Sequence, residues 1–175
     1  MKKSLSILVL GLWPALALAS GDQAIHDDHN RGQLSAGVGS IGKDHGAIGQ
    51  PGDPAKANRT IMVTMDDTMR FTPSQIRVRE GETIRFFVKN VGKLPHEMVI
   101  GSLAELKEHA AMMRTQPTMQ HDSPNMTRVG PGQRGGIVWR FDQPGAVNFA
   151  CLVTGHMEAG MMGTIVVQSD EKKSP

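Results

Sequence analysis

The chain is 175 residues long and carries 19 Lys+Arg against 17 Asp+Glu, a formal net charge of +2. No polybasic run accompanies that near-balance, which excludes the electrostatic footprint of a nucleic-acid binder. Aromatics are 4 % with no Tyr and Met reaches 12, while the single Cys excludes an intrachain disulfide framework, an iron–sulfur cluster and a Cys-rich zinc module.

From the N-terminus, Lys2 and Lys3 precede an apolar stretch, SILVLGLW then PALALA, and Ala17-Leu18-Ala19 matches the small-x-small cleavage pattern. Residues 1–19 therefore read as a signal peptide cleaved near Ala19. The apolar run is short for a span and is interrupted by Pro14, so no stable membrane insertion is expected. Without Lys2 and Lys3 the basic count is 19 − 2 = 17, equal to the acidic count, so the mature chain is formally neutral. Export gives the lone Cys151 a consequence. A free thiol in an oxidising compartment is open to oxidation unless it is deeply buried or its sulfur is held.

Residues 20–58 are rich in Gly, Asp, His, Ser, Gln and Pro, with isolated apolar residues. Such a stretch cannot bury enough surface to order itself and reads as a flexible arm, carrying His26, His29 and His45. From residue 59 the texture changes to short alternating runs. Ile61, Val63 and Met65 alternate with Met62 and Thr64, and Ile76 and Val78 with Arg77 and Arg79. Ile84, Phe86 and Val88 follow, then Ile137, Trp139 and Phe141, then Val147, Phe149 and Cys151, and a last run spans Thr164 to Val167. Period-2 alternation between turn signals such as Pro131-Gly132 and Gln143-Pro144-Gly145 predicts about seven half-buried strands. That pattern predicts an all-β fold over residues 59–168, an antiparallel Greek-key β-sandwich or a Greek-key barrel, with a C-terminal tail at 169–175.

One segment departs from the pattern. Ser102-Leu103-Ala104-Glu105 has the S-x-x-E form of a capping box, and Leu103, Leu106, Ala110 and Met113 follow at helical spacing before Pro117. A single inserted helix is therefore expected at about 102–114.

The chain closes with FACLVTGHMEAGMMGTIVV, in which His156 follows Cys151 by five residues and Met161 follows His156 by five. A loop leaving one strand and re-entering the next can bring a thiolate, an imidazole and a thioether to one point. Two imidazoles, one thiolate and a weak axial Met form the ligand set of a blue-copper site. His96 in NVGKLPHEMVIG is the candidate for the second imidazole. Zinc is the weaker alternative, because a thioether contributes little to a zinc site.

At these residues the chain resembles the cupredoxin family, the plastocyanin- and azurin-like type 1 copper proteins. Two motifs carry the resemblance: Asn90-x5-His96, with Pro95 before the histidine, and Cys151-x4-His156-x4-Met161. The helix, the Gly160-Met161 pair and the Met/His-rich surroundings resemble a periplasmic subgroup linked to copper resistance. The resemblance implies one type 1 copper ion held by His96, Cys151, His156 and Met161. It also implies a periplasmic location and single-electron exchange with a redox partner protein; a monomer is an expectation that no motif of the sequence fixes. Where many members have Asn after the first histidine, a brace for the ligand loop, this chain has Glu97.

The surplus of soft ligands supports a second function. Met112, Met113, Met119, His121 and Met126 cluster on and after the helix, Met62, Met65 and Met69 form another group, and His26-Asp27-Asp28-His29 lies in the arm. Thioethers suit Cu(I), so these groups point to copper tolerance by sequestering or oxidising cuprous ion. The plainer reading is packing for each Met and a solvated tail for the arm. An enzyme is not expected. A trinuclear copper centre needs many paired histidines, and only His96, His109, His121 and His156 fall within residues 59–168. Leu94, Leu152 and Met157 are the candidate apolar docking patch around His156.

Overall fold

The computed structural model describes residues 49–116 and 122–170. The predicted signal peptide, arm residues 20–48 with their three histidines, Met119, His121 and the last five residues lie outside them. The elements in chain order are β1 (Gln50–Pro51), β2 (Arg59–Asp66), β3 (Arg70–Thr72), β4 (Gln75–Arg79), β5 (Thr83–Asn90) and β6 (His96–Gly101), followed by the helix α1 (Leu103–Thr115). Then come β7 (Met126–Val129), β8 (Arg134–Arg140), β9 (Gly145–Ala150) and β10 (Met162–Gln168). One sheet has the order β1-β8-β5-β2-β3 and the other β4-β10-β9-β6-β7. Of the two architectures the alternation predicts, this is the β-sandwich, with the one helix that the capping box predicts.

The inward positions of the alternating runs form the filling between the sheets. Val63, Met65, Phe86, Val88, Ile137 and Trp139 from the first sheet meet Ile76, Val78, Phe149 and Ile165 from the second, all buried. Aromatic edges interlock across this layer: Phe71 meets Phe149 at 5.0 Å between centroids and 72° between planes.

Three details differ from the sequence expectation. The ladders are not all antiparallel, since β2 pairs with β5 and β10 with β4 in parallel. Strand direction leaves no mark on an alternating pattern, whereas the chain's crossings from one sheet to the other determine it. The stretch His96–Gly101 forms a strand although it does not alternate, because all six of its residues are buried. Its outer face lies under α1, where Val99, Leu106, Ala110, Ala150 and Leu152 make a second small core. Finally, residues 49–58, expected to belong to the flexible arm, are held on the first sheet. Gly52 N–H donates to the Val138 carbonyl at 2.9 Å, Asn58 N–H to Thr83 at 2.8 Å, and Thr83 N–H to Asn58 Oδ1 at 2.9 Å. Backbone pairing orders a segment whose composition supplies no apolar burial.

α1 is built as its sequence predicts. The Ser102 side chain accepts from Glu105 N–H at 3.2 Å, and the Glu105 carboxylate accepts from Ser102 N–H at 2.8 Å. Leu106 and Ala110 enter the second core and Met113 is also buried, while Leu103 is exposed.

A glycine at the start of β10 marks the tightest approach in this half of the sandwich. A Cβ on Gly163 would overlap the Phe149 ring and come within 2.5 Å of the Ser74 carbonyl oxygen. Gly163→Ala is expected to destabilise the fold by about 1–3 kcal/mol through overpacking. Urea unfolding of the metal-free protein measures it, and an unchanged midpoint would show that the ring and the β4 side have room to shift.

Candidate metal centre

Strand order places the ligand-type residues at one end of one sheet. β9 lies between β10 and β6, antiparallel to both. The end of β9 that leads into Cys151 therefore meets the beginning of β6, which is His96, and the approach to β10, which is Met161. Cys151 N–H donates to the Met161 carbonyl at 3.0 Å and so continues the β9–β10 ladder by one rung. The chain between them is wound into successive turns: His156 N–H donates to Val153, Ala159 to Gly155, Gly160 to Met157, and Met161 to His156. Gly155 and Gly160 supply the left-handed conformations these turns require, with φ of +85° and +92°. The result carries the His156 ring back over Cys151.

The donor atoms converge. His96 Nδ1 lies 3.2 Å from His156 Nδ1, Cys151 Sγ lies 3.3 Å from His156 Nδ1, and Cys151 Sγ lies 4.0 Å from His96 Nδ1. His96 and Cys151 are fully buried and His156 is half-buried. His96 Nε2 lies 3.2 Å from Asp67 Oδ1. An ionised carboxylate only accepts, which assigns the His96 proton to Nε2 and leaves a lone pair on Nδ1. That lone pair faces the second imidazole and the sulfur.

A first-row metal ion fits this arrangement. Donors at about 2.0 Å (nitrogen) and about 2.3 Å (sulfur) around one ion, at angles near 120°, lie about 3.5–3.8 Å apart. The three observed separations bracket that range. Sulfur plus two imidazoles selects copper or zinc over the hard, oxygen-seeking cations. The fourth candidate, Met161, is fully buried in the main core beside Cys151, whereas its neighbours Met157 and Met162 are half-buried against the second core under α1. The packing thus sets Met161 apart from the other two methionines of this segment.

Burial pushes the Cys151 thiol up to about 12, against the N–H groups of Glu97 and Val153, which favour the thiolate. Glu97 N–H lies 3.4 Å from Sγ. Its side chain is buried and meets the Arg128 guanidinium at 3.4 Å. Burial, with the His96 imidazole beside it, holds His156 below the ordinary histidine value. The N–H groups of Lys93 and Leu94 hold Asp67 below the usual carboxylate range.

Two residues brace the approach to His96, Asn90 of the Asn-x5-His motif and Asp67, which the sequence reading did not single out. Asn90, fully buried, donates from Nδ2 to the carbonyls of Leu94 at 2.7 Å and Val129 at 3.0 Å, and its Oδ1 accepts from Gly92 N–H at 2.9 Å. Asp67 accepts from Lys93 N–H at 2.7 Å and Leu94 N–H at 3.1 Å. Together they fix the loop 91–95 that precedes His96. Asn90 had a visible signal in the Asn-x5-His spacing, but Asp67 lies 29 residues from His96 and follows no spacing rule. Of the candidate docking patch, Leu94 is 44 % exposed and Met157 half-buried, but Leu152 is 1 % exposed and belongs to the core. Among the other soft ligands, Met65 and Met113 are buried packing residues, while Met62 is exposed.

The sequence profile of the copper binding proteins of the plastocyanin/azurin family matches residues 58–168. A copper-resistant cuproprotein CopI of Rubrivivax gelatinosus is 50 % identical over 140 residues, covering 80 % of this chain and 84 % of that one. A copper-resistant cuproprotein CopI of Vibrio cholerae is 33 % identical over 168 residues, covering 94 % and 98 %. Among solved structures, reduced auracyanin from Roseiflexus castenholzii aligns with a TM-score of 0.55 at 22 % identity, covering 62 % of this chain and 96 % of that one. Auracyanin B aligns with a TM-score of 0.59 at 21 % identity, covering 69 % and 96 %.

With its thiol pushed up to about 12 by burial, Cys151 stays protonated near neutral pH, and only thiolate reacts. The metal-free native protein is therefore expected to react with a disulfide reagent at least about 100-fold more slowly than the urea-unfolded chain. Equal rates would mean that the sulfur is open to solvent.

Proposed function

The chain belongs to the plastocyanin/azurin family of copper-binding proteins, and from that membership we propose that it is a periplasmic electron carrier holding one type 1 copper ion at His96, Cys151, His156 and Met161. The observation that carries the reading is the convergence of two imidazoles and a thiol within 4.0 Å. Bound copper supplies a one-electron couple between Cu(II) and Cu(I). The residues of the chain supply the rest. Cys151 contributes the soft sulfur, and the Glu97 N–H directed at that sulfur tempers its charge. The loop 91–95 and the turns 151–161 are fixed by their own hydrogen bonds, so the donors need little rearrangement when the charge of the site changes. His156, half-buried, is the proposed electron port, with exposed Val91 and Leu94 on the loop before His96 as a weak apolar docking surface. The signal-peptide pattern of residues 1–19 supports the periplasmic location. On this reading the protein is a carrier and not an enzyme.

A second reading is favoured by the relatives. The copper-resistant cuproproteins at 50 % and 33 % identity support a role in copper tolerance, in which the same site sequesters or oxidises cuprous ion.

The copper-loaded protein is expected to show an intense thiolate-to-copper visible band that is missing from Cys151→Ser. No band in either protein would overturn the type 1 reading. A deletion strain that grows poorly on copper with normal respiratory electron flux would favour tolerance, and the reverse outcome would favour the carrier.

A further inference from the structure

The hairpin between β2 and β3 reaches the candidate centre from outside the ligand-bearing sheet. Asp66 pairs with Arg70, and residues 67–69 form its loop. Asp66 Oδ1 accepts from Thr68 N–H at 2.9 Å, and Met69 takes the left-handed conformation at φ +60°, where a glycine would be unstrained. This local build presents Asp67 to three groups at once: Lys93 N–H, Leu94 N–H and His96 Nε2. Three residues further on, Arg70 donates to the Ala159 carbonyl in the ligand loop at 3.0 Å. One hairpin thus touches both segments that carry donor residues.

We propose that Asp67 is a positioning residue of the copper centre, which holds His96 in its Nε2–H tautomer with Nδ1 facing the metal and biases the site toward Cu(II). The inference rests on the copper reading of His96, Cys151 and His156. A carboxylate accepting the outer N–H of a ligand imidazole fixes its orientation and raises its basicity. Stronger donation favours the more highly charged Cu(II) over Cu(I), so Asp67 lowers the reduction potential and its loss raises it. The Asp67 side chain is 35 % exposed, so water screens part of its charge, but the hydrogen bond is directional and reaches a fully buried ring. The two backbone N–H groups it accepts keep it in place while it does so.

Two variants test this. In Asp67→Ala the hydrogen bond is gone. In Asp67→Asn a neutral oxygen can still accept from His96, but the new NH2 group opposes Lys93 N–H. In Asp67→Ala the ratio of Cu(II) to Cu(I) affinity is expected to fall about tenfold, within the range seen when a ligand's hydrogen-bond partner is lost. For one electron that is a rise of about 59 mV, with Asp67→Asn between it and the wild type. In the metal-free protein, 15N NMR is expected to show His96 as the Nε2–H tautomer, and a mixture of tautomers in Asp67→Ala. A blue wild type whose variants keep its potential and tautomer, losing only unfolding midpoint, would reduce Asp67 to a loop brace and overturn the inference alone. Should Asp67→Ala fail to fold, Asp67→Asn decides by the same two measurements. A wild type without the visible band overturns the copper reading and this inference with it.

Discussion

The centre depends on a buried sulfur at the end of a central strand. β9 is flanked on both sides, by β6 and by β10, and Cys151 continues its inward-facing series after Val147 and Phe149. A side chain at that position has the main core on one hand and the beginnings of two neighbouring strands on the other. Antiparallel pairing then dictates which residues can approach it. The start of β6 supplies His96, the approach to β10 supplies Met161, and the turns between β9 and β10 return His156. Four residues spread over 66 positions of sequence are brought together by two ladders and one loop.

Placing polar groups at the edge of a core has a cost that the structure offsets locally. His96, Asn90 and Glu97 are all buried, and an unpaired buried polar group costs about 1–3 kcal/mol. Asn90 uses both ends of its amide on loop and strand carbonyls and on Gly92 N–H. Glu97 meets Arg128, and His96 meets Asp67 through one nitrogen. The inner nitrogen of His96 faces His156 Nδ1 at 3.2 Å, and the thiol lies 3.3 Å from the same nitrogen and 3.4 Å from the Glu97 N–H. Those two groups, with His156 Nδ1, are the donors a cation would draw on.

Sequence pattern revealed the parts of this molecule whose physics is local. The alternation of β2, β4, β5, β8, β9 and β10 follows from strands with one face in the core, and the capping box of α1 from two backbone amides three residues apart. The Cys–His–Met spacing was legible because one loop carries all three. β6 was not, because α1 covers its outer face and removes the alternation. The short strands β1, β3 and β7 offered too few residues for a period to register. His96 was reached through its Pro-His context and the absence of a better partner, since an isolated histidine is not by itself distinguished as a ligand. Asp67 was out of reach altogether, because its role exists only once β2 and β5 lie side by side.

The ligand loop is gripped from two directions, and that bears on what the site is suited to do. From one side Arg70 of β3 holds the Ala159 carbonyl. From the other, the C-terminal half of α1 holds the loop through Thr154 Oγ1, which donates to the Met113 carbonyl at 3.3 Å, and through the ion pair of Arg114 with Glu158. The surface ion pair contributes little by itself, of the order of 0–1 kcal/mol, but it adds to contacts that already fix the loop's turns. The inserted helix is therefore more than a cover for β6: it forms one jaw of the clamp whose other jaw is the β2–β3 hairpin. Donors mounted in such a clamp would keep their places on a one-electron change, as the proposed carrier reading requires. The same rigidity would serve retention of the ion, so the contacts of α1 and of the β2–β3 hairpin with the loop are compatible with both proposed readings, electron carriage and copper tolerance.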